Sequence, residues 1–135
     1  MAEDPRGLKS HYDALLGTEW IGDDPDGARA RIPMRDDLRQ PAGLMHGGAM
    51  SSLVESVCSR ATALAVHDEG MAAMGQSISV NFIRPLTEGH AEVTARARHR
   101  GRTTWVWDAE VRDAEGRLCA LAQMTIAIRP RPDRG

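Results

Sequence analysis

The stretch "GGAMSSLVESVCSRATALAVH", residues 47–67, decides the fold, because it is the one long segment whose apolar residues repeat with helical period. Met50, Leu53, Val54, Val57, Ala61, Leu64 and Ala65 fall on one broad face at about 100° per residue, which predicts an amphipathic helix over 47–67. Ser51, Glu55 and Ser59 form a row at four-residue spacing, about 140° from the centre of that face, with Ser52 and Ser56 beside it. A solvated helix face ordinarily carries several Lys, Glu or Arg; this one carries serines and a single acid. Side chains this small allow close approach by another backbone or a ligand.

Outward from the helix the period changes to two. "SISVNFI" alternates Ile78, Val80 and Phe82 on one side, and "HAEVTARARHR" alternates Ala91, Val93, Ala95 and Ala97. "TTWVWDAEVRD" places Trp105, Trp107, Ala109 and Val111 together, and "RLCALAQMTIAI" does the same for Leu118, Ala120, Ala122, Met124, Ile126 and Ile128. The links "PLTEG", "RG" and "DAEG" read as short turns, so four strands are expected to pair in sequence without crossovers. Before the helix, "TEWIG" and "ARARIP" read as two short strands around the turn cluster "DDPDG", and "MRDDLRQPAG" as a loop. Residues 4–16 suggest a short helix capped by Asp4, opened by Pro5 and closed by Gly17, with Leu8, Tyr12, Leu15 and Leu16 on one face. Strands around a single long helix predict an α+β fold, a curved antiparallel sheet wrapped around that helix. One domain over residues 1–135 is expected, with an N-terminal helix within 1–17 and a frayed tail at 129–135.

The 135 residues carry a formal charge of −2, so bulk charge argues neither for nucleic acid nor for an acidic membrane surface as partner, and neither partner is expected. Glu92, Asp108 and Glu110 interleave the arginines of the strands, as a nucleic-acid face would not. Cys58 and Cys119 lie in apolar periodic segments and read as buried, reduced thiols. The N-terminal stretch has no apolar run of a signal peptide, and no segment approaches a membrane span, so a soluble cytoplasmic protein is expected. His11, His67, His90 and His99 show no metal-ligand spacing, and no phosphate loop or Ser-His-Asp context occurs.

The start of the long helix carries the chemistry. A helix N-terminus presents unpaired N–H groups and a partial positive charge, and Gly47 and Gly48 let a ligand approach that backbone. Such donors stabilise a developing oxyanion. His46 precedes them, and Glu55 follows about two turns later.

"HGGAMSSLVES", "SISVNFIRPLTEG", "ARHRGRTTW" and "EVRDAEGRLCALAQMTIAI", in that order and spacing, resemble the PaaI-type hotdog-fold acyl-CoA thioesterases over roughly residues 18–129. The resemblance implies a homodimer whose sheets join edge to edge, pairing into a homotetramer. It implies that Gly47 donates its N–H to the thioester carbonyl, that His46 orients the site, and that Glu55 is nucleophile or general base. Gln40, six residues before the histidine, takes the place of the family's amide side chain. Many PaaI-type members have Asn and Asp where this chain has Gln40 and Glu55. The Gln/Glu pair, with Ser59 one turn on, instead resembles one branch of the 4-hydroxybenzoyl-CoA thioesterases and shifts the expected substrate toward aryl-CoA esters. By the same resemblance Gly101, Arg102 and Thr103 meet the nucleotide end of coenzyme A, and Asn81, Phe82 and Arg84 line the pantetheine tunnel. No cofactor and no metal are expected, coenzyme A being part of the substrate. The competing expectation is a hotdog protein that binds acyl-CoA without turning it over; a hotdog dehydratase arranges its histidine and acid differently.

Overall fold

The computed structural model describes residues 4 and 6–132. Its long helix, α2 (Gly47–Val66), lies where the periodicity places it. It packs against one six-stranded antiparallel sheet of β1 (Glu19–Gly22), β2 (Ala28–Pro33), β3 (Met71–Phe82), β4 (His90–Arg100), β5 (Thr104–Arg112) and β6 (Leu118–Pro130). The alternation is reproduced in three strands: Ala91, Val93 and Ala95 of β4, Trp105, Trp107, Ala109 and Val111 of β5, and Ala120, Met124, Ile126 and Ile128 of β6 are all buried, whereas in β3 Ile78 and Phe82 are exposed and Val80 is half-buried. Both cysteines are free and buried.

The strand order is β1-β2-β4-β5-β6-β3, which corrects the expected run of four hairpins. β4, β5 and β6 do form a meander, but β3 pairs with β6, from Met71 opposite Pro130 to Phe82 opposite Ala120. "PLTEG" is therefore no hairpin turn. Residues 83–89 cross one end of the wrapped sheet, from the outer edge to β4. Three strand spacings amount to about 14 Å, well within the reach of seven extended residues. The crossing is held by Leu86, which is buried, and by backbone bonds from Met45 N–H to Leu86 C=O (2.8 Å) and Met34 N–H to Gly89 C=O (2.8 Å). Irregularities at Gly75/Ser77 and Ala97/His99 bend their strands, as an extra unpaired residue does.

The buried stripe of α2 winds around the helix. Near its start Met50, Leu53, Val54 and Val57 face the sheet; toward its end Cys58, Thr62 and Val66 do so, while Ala65 is exposed and Leu64 only half-buried. Twisted strands meet the helix at an angle, so the line of contact drifts off a fixed face. Thr62 is fully buried because its Oγ1 accepts the Trp107 indole N–H (2.8 Å) and donates to the Cys58 carbonyl (2.7 Å).

The N-terminal helix is shorter than expected. α1 spans His11–Leu16; Ser10, not Asp4, is its cap, accepting the Asp13 N–H, and Gly17 closes it in the left-handed conformation. The expected first-turn Pro5 lies outside the described residues. Leu16 is buried, whereas Leu8, Tyr12 and Leu15 are exposed. At the other end Arg129 and Pro130 belong to β6, and the Arg131 guanidinium donates to the His67 carbonyl (2.9 Å); 133–135 lie outside the described residues.

Candidate active site

His46 caps α2 by sequence and by geometry. Its Nδ1 accepts the Gly48 N–H (2.8 Å), and its own N–H donates to the Leu38 carbonyl (2.7 Å). The histidine therefore occupies one helix-start donor, and the neighbouring Gly47 N–H has no acceptor among the described residues. A Cβ built on Gly47 would fall 2.7 Å from Cζ of Phe82, so glycine is what lets that ring lie over the helix start. Phe82 itself remains 57% exposed at the end of β3.

Gln40 sits in the tight loop before the helix. Its Oε1 accepts the N–H groups of Ala42 and Leu44, and the loop closes through Gln40 N–H to Leu44 C=O (2.8 Å). The amide oxygen is thus spoken for, and the amide nitrogen is the donor left to face outward. Arg39 ties this loop to the crossing segment, donating to the carbonyls of Gly43 (2.7 Å) and Thr87 (2.9 Å).

Glu55 is exposed on α2 in a hollow of about 350 Å³ that also presents Tyr12, Ser52, Ser59 and Ala73. One of its oxygens lies 3.5 Å from where a Cβ of Gly75 would stand, at the β3 irregularity. The serine face is only partly clearance. Ser51 donates to the Gly47 carbonyl (3.1 Å), Ser52 meets the Tyr12 hydroxyl (2.9 Å), and Ser56 donates to the Asp13 carboxylate (2.5 Å). Two of the serines therefore seat this chain's own α1, which corrects their reading as empty space. Sequence reasoning missed Tyr12 and Asp13 as neighbours of Glu55; Ser10 three residues before Asp13 was the available capping signal.

Gly47 and Glu55 are eight residues apart, a rise of about 12 Å along the helix. A single carbonyl must sit about 3 Å from both its oxyanion donor and its attacking group. Within one chain the Gly47 N–H and the Glu55 backbone thus stand about two helical turns apart.

The residues expected at coenzyme A also form two groups. Asn81, Phe82 and Arg84 lie at one end of the sheet, where Asn81 pairs with Leu121 and Arg84 shares a hollow with Arg117, Ile83, Pro85 and Leu118. Gly101, Arg102 and Thr103 form the β4–β5 turn at the other end, since Thr104 pairs with Ala127, which pairs with Met74. Seven residues of β3 separate Met74 from Asn81, about 23 Å. In the turn, Gly101 N–H donates to Thr104 C=O (2.9 Å), and a Cβ on Gly101 would lie 2.8 Å from that oxygen. The Thr103 carbonyl accepts from Ile128 N–H (2.9 Å) and the Arg129 guanidinium (3.0 Å), while the Arg102 side chain is exposed. Among the described residues no group of His, Cys, Asp and Glu is placed to hold a metal, and no helix is long and apolar enough to cross a membrane.

Known proteins share this fold. The family model of the thioesterase superfamily matches residues 42–120, from the loop before α2 into β6. The chain is 37% identical to the 1,4-dihydroxy-2-naphthoyl-CoA hydrolase of Escherichia coli, over 82% of this chain and 79% of that protein. A mutant thioesterase of Pseudomonas aeruginosa superposes with a TM-score of 0.85 at 34% identity, over 89% of this chain and 86% of that one. The Escherichia coli PaaI protein shares the fold, with a TM-score of 0.78 at 24% identity over 87% and 83% of the two chains. The chain belongs to the thioesterase superfamily, and is a hotdog-fold enzyme of thioester hydrolysis.

Proposed function

We propose that the protein hydrolyses an acyl- or aryl-CoA thioester at a site shared by two copies of the chain. One copy supplies the Gly47 N–H, with His46 and Gln40 beside it; the other supplies Glu55, with Ser59 one turn on. The observation that carries this reading is the separation of about 12 Å between Gly47 and Glu55, two chemically complementary groups that one chain keeps apart. The β3 edge is suited to join the copies: it runs twelve residues, its outer side pairs with no described strand, and Met74, Ile78 and Phe82 are exposed along it. Edge-to-edge pairing would carry the helix start of one copy toward the Glu55 of the other, and dimers would pair again into a homotetramer.

In this reaction the thioester oxygen accepts the Gly47 N–H, and the positive end of α2 stabilises the charge that builds there. A positioned donor of this kind is typically worth about 3–4 kcal/mol. Glu55 takes a proton from water, whose oxygen adds to the carbonyl carbon; the C–S bond then breaks and the thiolate leaves, accepting the proton. Direct attack by the Glu55 carboxylate, giving a mixed anhydride that water then opens, uses the same placement. Arg84, Gly101, Arg102 and Thr103 would meet coenzyme A, with the arginines on its phosphates. Water is the only co-reactant, so no cofactor or metal is required. A CoA ester as substrate is compatible with a cytoplasmic enzyme. The aryl preference rests on the Gln40/Glu55 pair and on the naphthoyl-CoA substrate in the name of the Escherichia coli relative.

Thiol release over a panel of acyl- and aryl-CoA esters tests the reading. Wild-type protein is expected to turn over at least one ester, and Glu55→Ala to lose about 10²-fold or more. Unchanged turnover in the variant would remove Glu55 from its role. Tight binding with no release by the wild type would make this a CoA-ester-binding protein.

A further inference from the structure

β3 touches both halves of the proposed site. Its Phe82 ring lies against the start of α2, within 2.7 Å of where a Cβ of Gly47 would stand. Its Gly75, at the other end of the strand, lies beside Glu55, with a carboxylate oxygen 3.5 Å from the position of a Cβ. Bringing the donor of one copy to the acid of the other therefore sets Phe82 of one β3 opposite Gly75 of the other. A two-fold axis normal to the sheet pairs the two free β3 edges antiparallel and does this twice over. Ile78, Val80 and Phe82 share the face that meets α2, as do their β6 partners Met124, Ala122 and Ala120. A slide of one residue would turn that face outward, so allowed registers differ by two residues along the strand, about 7 Å. Gln76 is the extra residue at the β3 irregularity, since Gly75 pairs with Ile126 and Ser77 with Thr125. With Ser79 on the axis, Ile78 faces Val80 of the other copy and Phe82 faces the step between Gly75 and Gln76. An axis at Ile78 or Val80 would carry Phe82 about 7 Å past that step, well beyond the about 3 Å between a carbonyl and each group acting on it.

The exposed apolar side chains favour the same register independently of catalysis. Met74 precedes Gly75 and Ile83 follows Phe82, so both point to the opposite, outer face of the sheet. They are 55% and 53% exposed, and Ile83 still donates its N–H to the Cys119 carbonyl (2.8 Å), alongside β6. With Ser79 on the axis, Met74 of each copy faces Ile83 of the other, an apolar pair directly opposite. With Ile78 on the axis Met74 would face Asn81, and with Val80 on it, Pro85.

We propose that two copies pair β3 to β3 with Ser79 on the two-fold axis, and that Phe82 of the partner subunit thereby forms a wall of the Glu55 site and helps set its specificity. This rests on the reading that a Gly47 N–H and a Glu55 from different copies act on one thioester. Gly75, having no side chain, leaves room for the incoming ring beside the carboxylate.

Disulfide trapping reads the register without turnover. Only the residue on the axis lies within disulfide reach of its own counterpart; residues one position away stand about 7–8 Å from theirs. Under mild oxidation Ser79→Cys is expected to form a covalent dimer roughly tenfold or more faster than Ile78→Cys or Val80→Cys. The double variant Met74→Cys/Ile83→Cys should form one where neither single variant does. Wild-type protein, whose two cysteines are buried, is the blank. Trapping chiefly through position 78 or 80, or no covalent dimer from either Ser79→Cys or the double variant, would overturn the register. Hybrid dimers test the wall. Phe82→Ala and Glu55→Ala copies, each expected to lower turnover alone, are co-expressed with different tags and isolated as the mixed dimer. One site then carries both substitutions and the other neither, so about half the wild-type turnover per dimer should return. Were Phe82 to serve the Glu55 of its own chain, each site would carry one substitution and turnover would stay low. That result, or wild-type kcat/KM for every ester in Phe82→Ala alone, would overturn the wall. Trapping through Ser79 alongside undiminished turnover in Glu55→Ala would instead overturn the catalytic reading and leave the pairing standing.

Discussion

Replacing Thr62 by valine changes almost nothing but one hydroxyl, and that hydroxyl joins α2 to the middle of the sheet. Thr62 and Trp107 are both fully buried. Valine keeps the branched shape and has nearly the same helix propensity. The Cys58 carbonyl keeps its helical N–H partner, so it loses only a second bond. The indole N–H loses its sole acceptor in a place water does not reach, which costs about 1–3 kcal/mol. With a urea m-value of about 2 kcal/mol/M, the middle of the usual range for small proteins, the midpoint should fall by roughly 0.5–1.5 M. Urea unfolding followed by tryptophan fluorescence, at fixed protein concentration because self-association shifts the midpoint, measures this. Trp107→Phe supplies the control: with no indole N–H to strand, Thr62→Val should cost at least about 1 kcal/mol less in that background. A Thr62→Val variant within about 0.3 kcal/mol of wild type, or an equal cost in both backgrounds, would refute the account.

Burial pushes the Cys58 thiol up to about 12, so the native protein should resist a thiol reagent at pH 8 at this position and react there once unfolded in urea; mass spectrometry of the modified peptides reads the outcome, and prompt native labelling of Cys58 would contradict its burial. Burial alone would raise the Asp113 carboxyl, but the backbone N–H groups of Arg117 and Glu115 and the Arg117 guanidinium outweigh it and hold the carboxyl below the usual carboxylate range. A lowered folded-state value contributes stability that is present above the unfolded value near 4 and lost as pH falls through the folded one. Asp113→Asn should therefore melt lower than wild type at neutral pH and converge with it toward pH 3. Parallel melting curves across that range would show the turn to be held by something other than this charge.

The parts of the structure visible in the sequence are those whose periodicity is local. α2 and the buried faces of β4, β5 and β6 follow from spacing alone, because a helix or a half-buried strand repeats its environment every few residues. The position of β3 was not visible, because nothing in its own alternation names β6 over β4 as its neighbour. One clue lay in 83–89: seven residues with Pro85 and the apolar Leu86 are a poor tight turn and a good crossing segment. The buried stripe drifting from Ala65 to Thr62 and Val66 depends on the twist of a sheet that a single-helix pattern does not contain. At the site, His46, Gly47 and Glu55 stood out by residue type and the resemblance gave them roles.

The place of β3 has a consequence for how the chain is made. β3 is complete at Phe82, but its hydrogen-bonding partner begins at Leu118, about three dozen residues later. At about 5–20 residues per second a ribosome needs roughly 2–7 s to deliver that partner. During that interval a strand bearing Ile78, Val80 and Phe82 has emerged with neither edge satisfied, and the β4–β5 hairpin can close before it. The last strand synthesised is thus the keystone of the sheet, and a chain truncated before 118 should aggregate through β3 rather than fold in part.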